Sequence, residues 1–432
     1  MRLRIQVIIL FFLFALPLSR AQKSVTIKEC YDLAFRKAAI NKEKESYNSI
    51  WKLRDANLAK SWLPSLDANA SMVYNSEVID MSGVFSSIPI PGLAGAIKPL
   101  PHDQYKVTVD INQVIYDGGT IKLARQAEKA ELNANTQQTE IDLYKVRSQV
   151  NTYFFSLLLL DKQKELLESW HKLLTDRLGT VRSAADNGLA LKSDVDVIKA
   201  EMIKIEQQID EASIRRKALS EAMADLTGLE LTDGTVLVLP DLGNSLKDEL
   251  NRPELKLFDL RKEQLNTGIE LARSKRMPKA FGFATLGYGN PPGSNFFRDE
   301  FAPYYIVGAG IKWNIYDWNK VKNEKAQIKV QQEILDNRKT DLTDNLRRSL
   351  QIKSAEISSL ETSINRDREL ISIRERVTAA ATSQYENGTI TATELLNEIN
   401  SQKQAEINFQ IHRISLELAR IEYRNISGNE IE

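Results

Sequence analysis

The stretch Tyr105-Lys106-Val107-Thr108-Val109-Asp110-Ile111-Asn112, continuing through Gln113-Val114-Ile115 into Tyr116-Asp117-Gly118-Gly119, decides the fold. Successive residues of a strand point to opposite faces. Tyr105, Val107, Val109 and Ile111 therefore share one face, and Lys106, Thr108, Asp110 and Asn112 the other. After Gly119 neither proline nor glycine occurs before Gly179, and the composition turns to Ala, Leu, Glu, Lys and Gln. Those are strong helix formers. A helix from Thr120 to about Asp186 would span roughly 100 Å at 1.5 Å per residue.

Outward from this joint the chain repeats itself. Tyr116-Asp117-Gly118-Gly119 answers Tyr316-Asp317-Trp318-Asn319, Asn187-Gly188 answers Asn387-Gly388, Ser193-Asp194-Val195 answers Thr393-Glu394-Leu395, and Gly228 answers Gly428, all at an offset of 200. Pro64 and Pro278 are offset by 214, so the first half carries the longer inter-strand loop. A constant register over this distance indicates an internal duplication. Breaker-free runs also cover Leu189–Thr227, Ile311–Asn387 and Thr389–Ser427. Ile198, Met202, Ile205, Ile209, Ala212, Arg216, Leu219, Met223 and Leu226 are spaced four and three, as are Ile407, Ile411, Ile414, Leu418 and Ile421. That spacing is a coiled-coil seam. Each half is expected to hold a long antiparallel helical hairpin reversing at Asn187-Gly188 or Asn387-Gly388, where glycine supplies positive φ.

Each half also holds a strand pair. Residues 66–75 place Leu66, Ala68, Ala70, Met72 and Tyr74 on one face and Asp67, Asn69, Ser71 and Asn75 on the other, with Val73 as the exception. Near Tyr305, Val307, Ala309, Ile311 and Trp313 oppose Gly308, Gly310, Lys312 and Asn314, while Phe281–Tyr288 is Gly-rich and less clear. A half-buried hairpin on a soluble protein and an outer-membrane strand pair share this alternation. The position of the strands between long helices separates them. A lone hairpin is marginal in water, and four strands cannot close a membrane barrel, which needs about eight. Several chains must share one barrel, with the helices continuing beneath as a tube.

The expected organisation is a signal peptide at 1–21; a first repeat at 22–228, with strands near 65–76 and 104–116 and a hairpin from about 118; a linker at 229–252; a second repeat at 253–428, with strands near 280–289 and 303–316 and a hairpin from about 318; and a tail at 429–432. Arg2 and Arg4, the apolar run Ile5–Leu18 and Ser19-Arg20-Ala21 carry the export reading. Removing that segment leaves 55 basic against 58 acidic groups. This near-balance argues against a nucleic-acid partner, which requires a basic surplus or stripe. Across 432 residues there is one cysteine, Cys30, read as a packed core thiol, and three scattered histidines. No Walker loop, G-x-S-x-G, H-E-x-x-H or C-x-x-C occurs. The expectation is no enzyme, no cofactor and no metal. The ending Ile431-Glu432 fits a C-terminus left in the periplasm.

At this point the chain resembles the outer-membrane efflux protein family, the TolC-like channels. The resemblance rests on Thr26-Ile27-Lys28-Glu29, Leu63-Pro64, Tyr116-Asp117-Gly118-Gly119, Asn251-Arg252-Pro253-Glu254-Leu255 and the two hairpin turns in that order. It implies a mainly α fold with β. Coiled-coil hairpins form an α-barrel, and four strands per chain enter a 12-stranded transmembrane β-barrel in a homotrimer. It implies residence in the outer membrane among its lipids, a helical tunnel in the periplasm, a periplasmic adaptor and an inner-membrane pump as partners, and passive export in efflux or type I secretion. It further implies that Asn187, Gly188, Leu189, Ser193, Asp194, Val195, Gly388, Thr389, Thr393, Glu394 and Leu395 dock the adaptor, and that Glu394, Asn397 and Glu398 stand at a pore constriction. Relatives carry an acid where Asn397 stands. Three Glu394 carboxylates around one lumen would repel, raise one another's pKa and attract cations; alternatively Glu394 is a solvated first-turn residue favoured by the helix dipole. A soluble periplasmic coiled-coil adaptor or scaffold is the alternative function.

Overall fold

A computed structural model describes residues 24–80, 99–188, 190–232, 234–243, 249–295 and 298–429. The expected leader, most of the loop 82–101, Leu189 and residues 430–432 lie outside them. In chain order the elements are β1 (Ser24–Val25), α1 (Ile27–Lys37), α2 (Glu43–Lys60), β2 (Ser65–Tyr74), β3 (Asp103–Tyr116), α3 (Thr120–Asp186), α4 (Lys192–Thr227), β4 (Val236–Leu237), α5 (Pro253–Ser274), β5 (Lys279–Asn290), β6 (Ala302–Lys312), α6 (Lys320–Glu386) and α7 (Ala392–Ser427). They fall into two units. One holds 44–136 and 256–339, and the other holds the rest.

The first unit is built on an antiparallel sheet in the order β2-β3-β5-β6. Its register sets Ala70 opposite Val107, Val107 opposite Tyr288, and Leu286 opposite Tyr305. The alternation read from the sequence thereby becomes one continuous apolar face. The opposite face is polar at its centre. Asp110 accepts hydrogen bonds from Thr285 at 2.6 Å, Asn69 at 2.8 Å and Thr108 at 3.0 Å, which ties three strands together. The glycines of β6 are explained on this second face. A Cβ at Gly308 would lie 2.4 Å from the ring of Phe283, and one at Gly310 would lie 2.7 Å from that of Phe281. Two aromatic side chains occupy the space that side chains on β6 would need.

Three boundaries differ from expectation. β6 ends at Lys312 rather than near 316, because the Trp313 indole donates to the Arg276 carbonyl at 3.1 Å and Arg276 donates to the Ile315 carbonyl at 3.4 Å. That backbone is committed to a corner instead of a ladder. β2 ends at Tyr74 rather than near 76. The return helices begin at Lys192 and Ala392, three residues after the breaker-free runs do.

The repeated Tyr-Asp corner has one job in both halves. Asp117 accepts from the backbone N–H of Gly119 at 2.8 Å and from that of Ile121, and Asp317 accepts from Val321 N–H at 3.1 Å. Each aspartate occupies donors that a helix start leaves unpaired. Both corners need two consecutive residues at positive φ. The first uses Gly118 at 69° and Gly119 at 82°, whereas the second uses Trp318 at 52° and Asn319 at 63°.

The other unit is helical. β1 pairs with β4 in parallel. α1 starts at Thr26, whose Oγ1 accepts the Glu29 N–H at 3.3 Å. Its buried Ile27, Cys30, Tyr31 and Ala34 pack with Val150, Phe154, Leu157, Met223, Ile414 and Ile421. Burial pushes the Cys30 thiol up to about 12, followed by a smaller contribution from Glu29, so it stays a neutral core group. The antiparallel hairpins are fixed by side-chain pairs that run in opposite directions along their helices. Arg216 bonds Asp161 at 2.5 Å and His171 bonds Glu206 at 2.9 Å. In the second hairpin Arg374 bonds Glu398 at 3.1 Å and Lys353 bonds Glu422 at 2.8 Å.

Candidate functional site

The two hairpin ends form in the same way. Asn187 Nδ2 donates to the Ser183 carbonyl at 2.8 Å, and Asn387 Nδ2 to that of Ser383 at 2.8 Å. Gly188 follows at φ 74° and Gly388 at φ 71°. This asparagine-glycine end occupies the last carbonyls of a helix and reverses the chain. Thr389 adds two bonds to the Gln384 carbonyl, 2.9 Å from its N–H and 2.8 Å from its hydroxyl. Leu189 lies outside the described residues. Asn187, Gly188, Ser193, Gly388, Thr389 and Thr393 are exposed, and Asp194 is half-buried.

Val195 and Leu395 are placed differently from an outward docking residue. They are only 8% and 5% exposed and sit in one apolar cluster with Leu174, Val181, Ile198, Ala381, Leu396 and Ile399. Their side chains join the two hairpin ends, because the seam position that repeats every three to four residues must face the neighbouring helix. Arg177 of the first hairpin reaches Glu386 of the second at 2.9 Å and reinforces the join.

Glu394 is engaged within its own helix turn. Its carboxylate accepts from the Thr391 N–H at 2.8 Å and from the Thr391 hydroxyl at 3.0 Å, and its N–H donates to Thr391 Oγ1 at 3.2 Å. This is a reciprocal capping box. The Thr391 backbone bond, then its side-chain bond, hold the Glu394 carboxyl below the usual glutamate range. In the first repeat Asp194 similarly accepts the Leu191 N–H at 3.3 Å. Asn397 is exposed, and Glu398 is half-buried and bound to Arg374. Thr391 is not among the residues singled out in the sequence, although the spacing Thr391-x-x-Glu394 is the signal that marks this cap. Arg177 and Glu386 carry no sequence signal, since nothing in their spacing marks a pair 209 positions apart. Among the described residues no group of His, Cys, Asp or Glu comes together in metal-binding spacing.

The apolar sheet face is the second functional feature. Leu66, Val107, Val307 and Ile311 are 69%, 58%, 73% and 77% exposed, beside exposed Leu286, Tyr288 and Tyr305. A contiguous apolar surface on this scale marks a membrane or protein contact. Strands of ten to fourteen residues match the length that crosses a bilayer at a tilt. Among the described residues no helix is long and apolar enough to cross a membrane.

A search of curated protein sequences returns no match. Solved structures share the fold. The outer membrane channel CmeC of Campylobacter jejuni aligns at 15% identity and TM-score 0.63, over 93% of this chain and 85% of that one. The open-state outer membrane channel MtrE of Neisseria gonorrhoeae aligns at 14% and 0.66, over 93% and 89%. The outer membrane protein VceC of Vibrio cholerae aligns at 14% and 0.64, over 93% and 96%. The model of the outer membrane efflux protein family matches residues 54–229 and 247–429. This sets aside the soluble-adaptor alternative. The chain belongs to the outer membrane efflux protein family and is an outer-membrane efflux duct.

Proposed function

We propose that three copies of this chain close a 12-stranded barrel in the outer membrane and pass substrates out without an energy source of their own. The observation that carries this reading is the sheet. Its edges β2 and β6 pair with no other strand among the described residues, and its apolar face is open. Unpaired strand edges seek partners, and backbone groups in lipid must all be hydrogen-bonded, which only a closed barrel achieves for strands. A threefold repeat of four strands gives twelve, enough to close. The helical hairpins then continue as a periplasmic tunnel.

The partners are a periplasmic adaptor and an inner-membrane pump. The exposed Asn187, Gly188, Ser193, Gly388, Thr389 and Thr393 form the docking rim, with Leu189 and the half-buried Asp194. Val195 and Leu395 set its shape from inside. Glu394, with Asn397 and Glu398 behind it, lines the entrance. The Thr391 bonds favour its charged form, and a ring of such carboxylates would favour cations. Cargo selectivity lies with the pump, in efflux or in type I secretion. The test is outer-membrane fractionation, followed by size and conductance measurements on the purified protein in planar bilayers. A heat-resistant trimer with discrete conductance is expected. A detergent-free soluble monomer would end the reading.

A further inference from the structure

Lys322, Lys325 and Lys329 stand on one face of α6, spaced three and four residues apart. They line a groove of about 660 Å³ with Arg273, Arg276 and Trp313. Like charges at this spacing destabilise a helix unless something neutralises them. No carboxylate lines the groove among the described residues. Glu324 is engaged with Lys275 at 2.6 Å and Glu270 with Arg273 at 3.2 Å, and Glu333, four residues after Lys329, does not line the groove.

The first repeat shows how two of the three corresponding cations are met from within the chain. Lys122, Arg125 and Lys129 stand 200 residues earlier. There Asp55 of α2 accepts from Arg125 at 2.6 Å and 2.8 Å, and Trp51 lies under Lys129 at 4.4 Å. In the second repeat α5 takes the place of α2. At the 214-residue offset Asp55 falls on Ile269 and Trp51 on Leu265. The cations are retained and the counterparts of Asp55 and Trp51 are missing.

We propose that this groove binds the anionic headgroup of a glycerophospholipid. The fold chooses a lipid over a free anion. Trp313 follows Ile311 at the end of the apolar sheet face, and Ile315 also lines the groove. Lipid-facing strands give way here to polar helices, which sets the membrane–water boundary. Tryptophan belongs at that boundary, and clustered Lys and Arg there attract anionic headgroups. The phosphate sits among Lys322, Lys325, Lys329 and Arg276, and the acyl chains run along Ile311 and Val307. The proposal rests on the sheet being the membrane segment.

The experiment reconstitutes the full chain in bilayers of equimolar phosphatidylglycerol and phosphatidylcholine, extracts it, and measures the lipids retained. The wild type should favour phosphatidylglycerol about tenfold. The K322Q/K325Q/K329Q variant should lose the preference, the matching all-arginine variant should keep it, and K325Q alone should lose part of it. K122Q/K129Q in the first repeat should leave it unchanged. Equal retention of both lipids by the inserted wild type, or an undiminished preference in the glutamine variants, would overturn the site. Inorganic phosphate displacing the lipid at equal concentration would make it a soluble-anion site and also end the proposal, as would a cross-link showing a second copy in the groove. Failure to insert at all would instead refute the membrane reading of the sheet.

Discussion

Lys403 of α7 donates to Glu201 of α4 at 3.1 Å, and both side chains are 11% exposed. The pair joins the return helices of the two repeats, yet it does not follow their symmetry. The counterparts at the 200-residue offset are Ile203 and Ser401. Duplication supplied the two helices, and this contact made them different.

Removing Lys403 leaves Glu201 with only the exposed Lys204, whose Nζ donates to it at 3.3 Å. Lys403→Ala is expected to lower stability by about 1–2 kcal/mol, less than a fully uncompensated buried charge would cost. The double change Glu201→Leu with Lys403→Met should recover most of it, because a packed apolar pair replaces a desolvated ionic one. Thermal unfolding of the detergent-solubilised protein compares the two. Equal losses in both would mean that packing volume, not charge, matters there.

The second Tyr-Asp corner carries avoidable strain. Asn319 occupies a left-handed conformation that the first repeat fills with Gly119. Asn319→Gly should stabilise by roughly 0.5–1 kcal/mol. Gly118→Ala should destabilise by more than about 2 kcal/mol, since its Cβ would meet the Met277 Cβ at 2.5 Å. Heat-inactivation midpoints of the two variants should move in opposite directions.

Glu394 ties helix capping to pH. Its carboxyl is held below the ordinary glutamate value by Thr391. Its contribution is therefore complete above the unfolded-state pKa and fades as pH falls through the lower folded value. Protection of the amides at the start of α7, measured relative to their intrinsic exchange rates at each pH, should fall on acidification. Glu394→Gln should abolish that pH dependence and shift the reversal potential away from cations. An unchanged reversal potential would remove Glu394 from the pore entrance while leaving its cap intact.

A charge on the lipid-facing side of the sheet should block insertion. Val307 is 73% exposed in the middle of β6. Val307→Arg is expected to cost about 2–4 kcal/mol in the bilayer and to reduce the protein found in the outer-membrane fraction. Thr108→Arg, on the opposite face, should not impede insertion by contact with lipid. Similar loss in both would argue against the assignment of faces.

The local chemistry was written in the chain. Alternation around Val107 fixed a two-faced strand, the long breaker-free runs fixed the helices, and the 200-residue echo fixed their duplication, because each depends on neighbours within a few residues. What no spacing could reveal is which side of each element meets which. Val195 and Leu395 look like turn-adjacent surface in sequence, and only packing of one hairpin against the other buries them. Phe281 and Phe283 sit on the sheet face that carries Asp110 because Gly310 and Gly308 on another strand leave them room. The lysines at 322, 325 and 329 resemble a solvated stripe until α5, Trp313 and α6 meet around them. Contacts between distant segments depend on shape and register that emerge only when those segments pack, so tertiary structure alone decides them.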